Sequence, residues 1–322
     1  MKLEQDIFSI QNESDFEKMA FRVFHFQVDN VPIYREFCQR INNLSPRTIS
    51  EIPFLPISFF KSHQIIHENL NAEVVFKSSG TTSQTRSQHH VAFKDVYENS
   101  FLNTFSEQIA NPEESIILAL LPNYIEQGDS SLIYMVDSLI KKSNNSLSGF
   151  YLNNQNELIQ TIHKARKHNK KIILFGVSYA LLDLAENKID LSGVRVIETG
   201  GMKGRRKEMI KSELHEHLSK GLNVSTIYSE YGMTELLSQA YLQSDGFFQS
   251  PKWMKTLIRD VNDAFTILED GKTGGVNIID LANLYSCSFI ATDDLGIKHK
   301  DFFKILGRFD LSDIRGCNLL IN

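Results

Sequence analysis

The sequence predicts an α/β protein, with a largely parallel sheet flanked by helices and a smaller antiparallel β unit beside it. Three observations carry that expectation. Between residues 115 and 228, short β-prone apolar runs alternate with stretches of helical spacing. After Gln249 the rhythm changes to strand-like pieces joined by turns. The composition is that of an ordinary globular chain, 42% hydrophobic and 23% charged over 322 residues. That length is enough to bury a sizeable core in one large domain or two moderate ones.

The elements follow in order. Glu13 to Asn43 opens with apolar residues at helical spacing (Phe16, Met19, Val23, Phe26), and a second helical stretch runs from Ile33 to Ile41. Phe54 to Phe60, FLPISFF, is apolar but broken by Pro56, so it reads as an irregular packed segment rather than a central strand. Ala72 to Phe76 reads as a strand feeding the polar stretch KSSGTTSQTRSQHH, Lys77 to His90.

Strands are then expected at Ser115–Leu121, Gly149–Leu152, Lys171–Val177, Val194–Glu198 and Val224–Tyr228. Helices are expected at Ser130–Lys141, Asn156–His168, Ala180–Glu186 and Arg205–Leu218. From Phe265 to Leu306 the pieces are strand-like, with turns at Glu269-Asp270-Gly271 and Thr273-Gly274-Gly275. The organisation expected is an α/β body over 1–248 with N-terminal helices in 1–45, a β-rich subdomain over 249–316, and a tail over 317–322.

Charge and cysteine usage exclude several classes. The net charge of -5 gives no basic field for nucleic acid or an anionic membrane. The basic run HKARKHNKK, His163 to Lys171, closes a helix, where cations favour the dipole. The N-terminus carries acids from Glu4 onward and no apolar core, unlike a signal peptide, and no apolar run approaches the roughly 20 residues that span a bilayer. Three cysteines, Cys38, Cys287 and Cys317, are odd in number and form no CxxC pair, which argues against a disulfide framework or a zinc site. The expectation is a cytoplasmic chain with reduced thiols.

Four constellations can carry chemistry. The first is SSGTTSQT within the polar stretch. It is not a Walker A loop, because no Gly-Lys pair follows at the required spacing. A strand feeding a loop of hydroxyls and glycine nevertheless offers N–H and O–H groups to phosphate oxygens. Such a turn is a surface loop as often as a nucleotide grip.

The second is TIYSEYGMTELLSQAY, Thr226 to Tyr241, in which helix formers resume from Glu235. At the carboxyl end of a strand, where α/β sheets bind ligands, it places an aromatic ring (Tyr231), a glycine (Gly232), a hydroxyl (Thr234) and a carboxylate (Glu235). Those types suit stacking, phosphate contact and Mg²⁺ ligation, and equally a helix start. The third is ATDDLG, Ala291 to Gly296, and the fourth GRFDLSDIRG, Gly307 to Gly316. An Asp at a strand end can accept both ribose hydroxyls, or simply sit in a polar turn.

Taken together, in this order, the four resemble the adenylate-forming superfamily of acyl-CoA synthetases, luciferases and peptide-synthetase adenylation domains. SSGTT resembles its phosphate loop, YGMTE its adenine and magnesium motif, TDDLG its ribose motif and GRFD its hinge. IETGGM, Ile197 to Met202, is similar to the glycine-rich segment lining the adenine pocket. The likeness spans Ser78 to Gly316.

Typical members continue into a C-terminal domain that supplies a catalytic lysine, whereas this sequence runs six residues past Gly316. The expectation is therefore an ANL-type N-terminal domain without the large C-terminal domain. The closer resemblance is to the acyl-protein synthetases of bacterial luminescence, long-chain-fatty-acid–luciferin-component ligases. These carry LPISFFK-like segments, here Leu55 to Lys61, and a cysteine near the end, here Cys317.

The resemblance implies ATP-dependent activation of a carboxylic acid, a fatty acid by family likeness, followed by transfer of the acyl group to a thiol. Ser78, Ser79, Gly80, Thr81 and Thr82 would hold the β- and γ-phosphates, with Arg86 adding a cation. Thr234 would contact the α-phosphate and Glu235 would hold Mg²⁺. Gly200, Gly201, Tyr231 and Gly232 would border the adenine, and Asp294 with Arg308 the ribose. Cys317 would take the acyl group, since a thiolate is strongly nucleophilic and its thioester stays activated.

The usual lysine has no counterpart by motif; Lys77, Lys203, Lys252 or a partner chain are the candidates to replace it. His89 and His90 would face opposite sides of a strand, a poor metal pair, although one near the loop can assist transfer. Expected partners are the acid and an acyl-acceptor protein, reductase or carrier, with no nucleic acid and no membrane span. The alternatives are an acid-CoA ligase of the phenylacetate type, an acyltransferase using a preformed donor, and a catalytically silent nucleotide-binding or scaffold protein.

Overall fold

In the computed structural model, which describes residues 2–79, 85–122, 128–200, 209–243 and 246–309, the chain opens with helices α1 (Lys2–Phe8), α2 (Glu13–Asn30) and α3 (Pro32–Arg40). Asn12 caps α2, its side-chain oxygen accepting from the Asp15 N–H at 3.0 Å, which satisfies one of the orphan donors of a helix start. Phe16, Met19, Val23 and Phe24 fall on its buried side, as the helical spacing requires. Pro32 opens α3, where a missing N–H costs nothing. FLPISFF divides into a two-residue strand, β1 (Leu55–Pro56), and a helical turn, α4 (Phe59–Ser62).

The chain then builds an α/β unit comprising Glu73–His89 and Phe93–Phe248. Strands β2 (Val74–Lys77) and β3 (Gln88–Val91) pair with each other. After α5 (Lys94–Gln108) come β4 (Ser115–Leu120), α6 (Ser131–Ser143), β5 (Gly149–Phe150), α7 (Gln155–Ala165), β6 (Lys171–Val177), α8 (Ser178–Glu186), β7 (Val194–Thr199), α9 (Lys211–Leu222), β8 (Ile227–Tyr231) and β9 (Ala240–Leu242). The strand order is β9-β8-β7-β6-β4-β5, parallel throughout except for the antiparallel β8–β9 pair. All six residues of β4 are buried. A strand buried on both sets of alternating side chains has both faces covered, which is why it reads as a continuous apolar run.

The short β10 (Phe248–Gln249) leads onward to β11 (Met254–Arg259), β12 (Thr273–Asp280), β13 (Phe289–His299) and β14 (Phe302–Arg308). Strands β11 to β14 form an antiparallel meander, and β1 joins it parallel to β13. These strands stand in one unit with the N-terminal helices, comprising Met1–Ala72, His90–Ala92 and Gln249–Asn322. The sequence expectation had grouped those helices with the α/β body. Within that unit the buried Gln27 of α2 donates from Nε2 to the carbonyls of Asn283 and Leu284 at 3.0 and 2.9 Å, and its Oε1 accepts from Ser288 N at 3.0 Å. A buried amide satisfied on both ends fixes the register of helix against loop.

Two sequence-derived spans move. The strand expected at Val224–Tyr228 lies three residues later, so Tyr231 is its last residue rather than a loop residue beyond it. The helix expected from Arg205 is described from Lys211 and ends at Asn223, whose left-handed φ of 55° is a common helix terminator. Among the described residues no helix is long and apolar enough to cross a membrane.

Candidate active site

The carboxyl ends of β6, β7 and β8 lie side by side, where an α/β sheet presents ligand-binding groups. Parallel pairing sets Glu198 of β7 opposite Ser229 of β8, so Thr199 and Gly200 emerge beside Glu230 and Tyr231. Gly200 has a φ of +73°, a conformation glycine adopts without penalty. A Cβ at Gly232 would come within 2.3 Å of Glu230 Oε1, so a larger residue there would have to displace that carboxyl. Thr199 Oγ1 holds that carboxyl by donating to Glu230 Oε2 at 2.6 Å. Tyr231 is buried, with its ring 5.7 Å from that of Phe248.

Glu198, only 2% exposed, is the centre of a polar network. Ser178 Oγ donates to its Oε1 at 2.6 Å and also reaches Gly200 O at 3.2 Å. Lys211 Nζ donates to Oε2 at 2.9 Å, and Ser229 Oγ donates to the same oxygen at 2.8 Å. Because the Ser229 proton is committed to Glu198, its lone pairs accept from Lys211 at 3.1 Å and from His215 Nε2 at 3.0 Å. His215 itself stands 3.9 Å from the carboxylate and bonds to it through Ser229.

Burial alone would raise the Glu198 carboxyl; His215, Lys211 and Ser178 outweigh it and hold it down, at about 2. Glu230 goes the other way. Burial, with the Glu198 charge adding to it, lifts its carboxyl to about 7 against the opposing Thr199 bond and Lys211 charge. Two carboxyls at the ends of adjacent strands are thus driven apart, one ionised and one poised near neutrality.

Thr234 and Glu235 occupy a turn in which Leu236 N donates to Met233 O at 3.2 Å. No helix follows, contrary to the expectation that helix formers resume at Glu235. Residues 236–239 are all buried and the chain returns as β9; four consecutive buried positions do not fit an amphipathic helix face. The helix-start reading of Thr234 and Glu235 therefore falls. Glu235 is 5% exposed.

The turn is pinned by His89, itself buried in β3, whose Nδ1–H donates to Thr234 O at 2.8 Å. His89 and His90 differ in burial, as opposite faces require. At the base of the hydroxyl loop, Ser78 N donates to Ser87 O at 3.0 Å and Ser87 N to Ser78 Oγ at 3.0 Å. Arg86 braces this base. Its guanidinium donates to the Ser78 and Lys77 carbonyls and pairs with Asp129 at 3.0 Å, so its charge is already engaged.

In the β-rich unit, Asp294 of β13 and Arg308 of β14 are cross-strand partners, Arg308 Nε 3.4 Å from Asp294 Oδ1. Asp294 is 8% exposed while the Arg308 side chain is largely open to solvent. Behind them Arg259 donates to Val276 O, Asn277 Oδ1 and Thr292 O at 2.9, 2.8 and 2.6 Å, fixing the strand that carries Asp293 and Asp294.

Gly80, Thr81, Thr82, Gly201, Lys203 and Cys317 lie outside the described residues. Lys252 sits in the β-rich unit, its ammonium 3.1 Å from Gln11 Oε1. Sequence reasoning passed over His89 as a positioning group, and over Glu198, Glu230, Lys211, His215 and Arg259. A signal for two of them was present: Glu198 and Glu230 are carboxylates inside otherwise strand-like runs, VRVIET and IYSEY, and such residues are seldom buried without a partner. Among the described residues no group of three or more His, Cys, Asp or Glu side chains is arranged to hold a metal ion.

Comparison with solved structures places this architecture. It resembles an open conformation of 2-hydroxyisobutyryl-CoA ligase in complex with 2-HIB-AMP and CoA, with a TM-score of 0.63 at 10% identity over 94% of this chain and 72% of that one. ATP-bound MatB from Rhodopseudomonas palustris matches with a TM-score of 0.56 at 15% identity, over 73% of this chain and 47% of MatB. O-succinylbenzoate coenzyme A synthetase (MenE) from Bacillus subtilis, in complex with AMP, matches with 0.50 at 17%, over 76% and 50%. The chain thus spans about half the length of MatB and MenE. The shared fold is that of the adenylate-forming enzymes. No curated protein matches the sequence. The family model for acyl-protein synthetase, LuxE, matches residues 130–322, more than half of the chain. Carrying that match, the YGMTE turn and the glycine-bearing strand end on one sheet edge, the chain belongs to the LuxE acyl-protein synthetase family.

Proposed function

We propose that the protein activates a carboxylic acid, a fatty acid by its family, with ATP and passes the acyl group to the thiol of Cys317. The observation that carries this reading is the convergence of Gly200, Tyr231–Gly232 and the Thr234–Glu235 turn at the carboxyl edge of adjacent parallel strands, with His89 tying that turn to the strand that follows the hydroxyl loop. In the first step an acid oxygen attacks the α-phosphorus of ATP and the bond to pyrophosphate breaks. Positioning and charge stabilisation dominate such a step. Ser78, Ser79, Gly80, Thr81 and Thr82 supply donors to the phosphates, Thr234 the α-phosphate contact, and Asp294 with Arg308 the ribose contact.

One buried carboxylate, Glu235, fits Mg²⁺, which protein sites commonly hold through one or two carboxylates plus substrate phosphates. Bound there, the ion would neutralise phosphate charge. Glu235 would contribute one ligand, and His89 holds its turn in place. In the second step the Cys317 sulfur attacks the acyl carbon, a C–S bond forms and AMP leaves. Cys38 and Cys287 are poor competitors. Both are buried, and burial pushes the Cys38 thiol up to about 12 and the Cys287 thiol higher still.

Acid-dependent exchange of pyrophosphate into ATP tests the first step. Glu235→Ala should lower it at least about a hundredfold; exchange at the wild-type rate removes Glu235 from the mechanism. Hydroxylamine-sensitive labelling by radioactive acid tests the second. Cys317→Ser should abolish the label while sparing exchange, and a persistent label eliminates Cys317 as acceptor. Release of acyl-CoA on adding CoA, without protein labelling, would favour the CoA-ligase reading.

A further inference from the structure

The β-rich unit contains a cavity of about 320 Å³ between the start of α2 and strands β11, β13 and β14, lined by none of the nucleotide motifs. Its size is near the lower limit of ligand sites, roughly 300–1,000 Å³. Phe16, Met254 and Phe302 give it an apolar wall. Lys252, Lys255, Lys298 and Lys300 face it together with two carboxylates, Glu13 and Asp301. Lys255 is neutralised by Glu13 and Lys298 by Asp270. Among the described residues Lys252 has only the neutral Gln11 amide as partner, and Lys300 has no ion pair. The wall therefore keeps uncancelled positive charge.

Two hydroxyls sharpen the picture. Thr256 Oγ1 and Ser250 Oγ both line the cavity, are buried, and have no hydrogen-bond partner among the described residues. Thr256 is 4% exposed. Buried hydroxyls are almost always bonded, because leaving one unmade costs about 1–3 kcal/mol. Two orphaned donors, ammonium groups and an apolar wall in one small cavity match an occupant with an anionic oxygen head and a short apolar body. Glu13 and Asp301 disfavour a dianion more than a monoanion.

We propose that this cavity is a second binding site, for a small amphipathic monocarboxylate, with its head on Thr256, Ser250, Lys252 and Lys300 and its body against Phe16, Met254 and Phe302. The site is separate from the proposed activation chemistry and does not depend on it.

The test is amine-reactive labelling of the full-length protein, mapped by mass spectrometry, with octanoate as probe. Octanoate should protect Lys252 and Lys300 at least twofold while leaving Lys211 of the α/β unit unchanged. Thr256→Val keeps the side-chain shape and removes only the orphaned hydroxyl. It should raise the half-protecting concentration about tenfold. Lys252→Gln, read at Lys300, should do the same and serves if the first variant folds poorly. Absence of protection, equal protection by inorganic phosphate, or unchanged protection in both variants overturns the proposal.

Discussion

At the scale of single residues, the decisive pair is Glu198 and Glu230. Both end strands of the same sheet, yet one is held ionised by Lys211, Ser178 and Ser229 while the other has Thr199 as its bonded donor. Their pH dependences have opposite sign. Glu198, depressed to about 2, adds stability above the ordinary carboxylate range that is lost as pH falls toward 2. Glu230, raised to about 7, adds stability while protonated, fully present below the ordinary range and lost as pH rises through 7. Between pH 5 and pH 8 Glu230 titrates across its shift, and His90, whose imidazole burial holds below its ordinary value, offsets part of it with the opposite sign. Denaturant midpoints should therefore show the wild type losing on the order of 2 kcal/mol over that interval, discounted because the residue keeps some contact with water. Glu230→Gln should flatten the profile. An equal slope in the variant would assign the loss to another group.

At the scale of elements, α8 and α9 touch through a glycine. In an exposed helix, Gly→Ala gains about 1 kcal/mol. At Gly221 of α9 the new Cβ would stand 2.6 Å from Ala185 Cβ and 2.8 Å from Ala185 O of α8. Backbone cannot yield as a flexible side chain does, and overpacking costs roughly 1–3 kcal/mol. Gly221→Ala should therefore destabilise the protein, read as a lower thermal midpoint. An unchanged or higher midpoint would mean that the helices separate freely. The same reasoning separates Gly221, chosen for close approach, from Gly200, chosen for its backbone conformation.

At the scale of the whole molecule, burial sets Cys38 and Cys287 apart from an accessible thiol in reactivity. Cys38 and Cys287 are fully buried, and their thiols are pushed up by desolvation. Titration of the native protein with a thiol-reactive disulfide should therefore find at most one reactive group, and all three only in denaturant. A second fast-reacting native thiol would show that one of the buried pair is accessible. The assay also reports unfolding of the unit that holds both, because neither can react until its surroundings open.

The sequence by itself determined the order and type of most elements. Apolar runs such as SIILAL and KIILFGV, separated by helical spacing, leave little choice but a covered parallel sheet. It also pointed to the adenylate-forming superfamily, through SSGTT, IETGGM, YGMTE, TDDLG and GRFD in one order, and to the acyl-protein synthetase family through LPISFFK and Cys317; family and fold stand. Only the tertiary structure decided how the site is held. That His89 pins the Thr234 carbonyl from 145 residues away, that Arg86 braces a loop base rather than standing free, and that Glu198 and Glu230 diverge in charge all depend on strand register and burial. Local pattern specifies which residues a strand turns inward. It does not specify what they meet there, because those partners come from distant parts of the chain whose pairing is settled by packing.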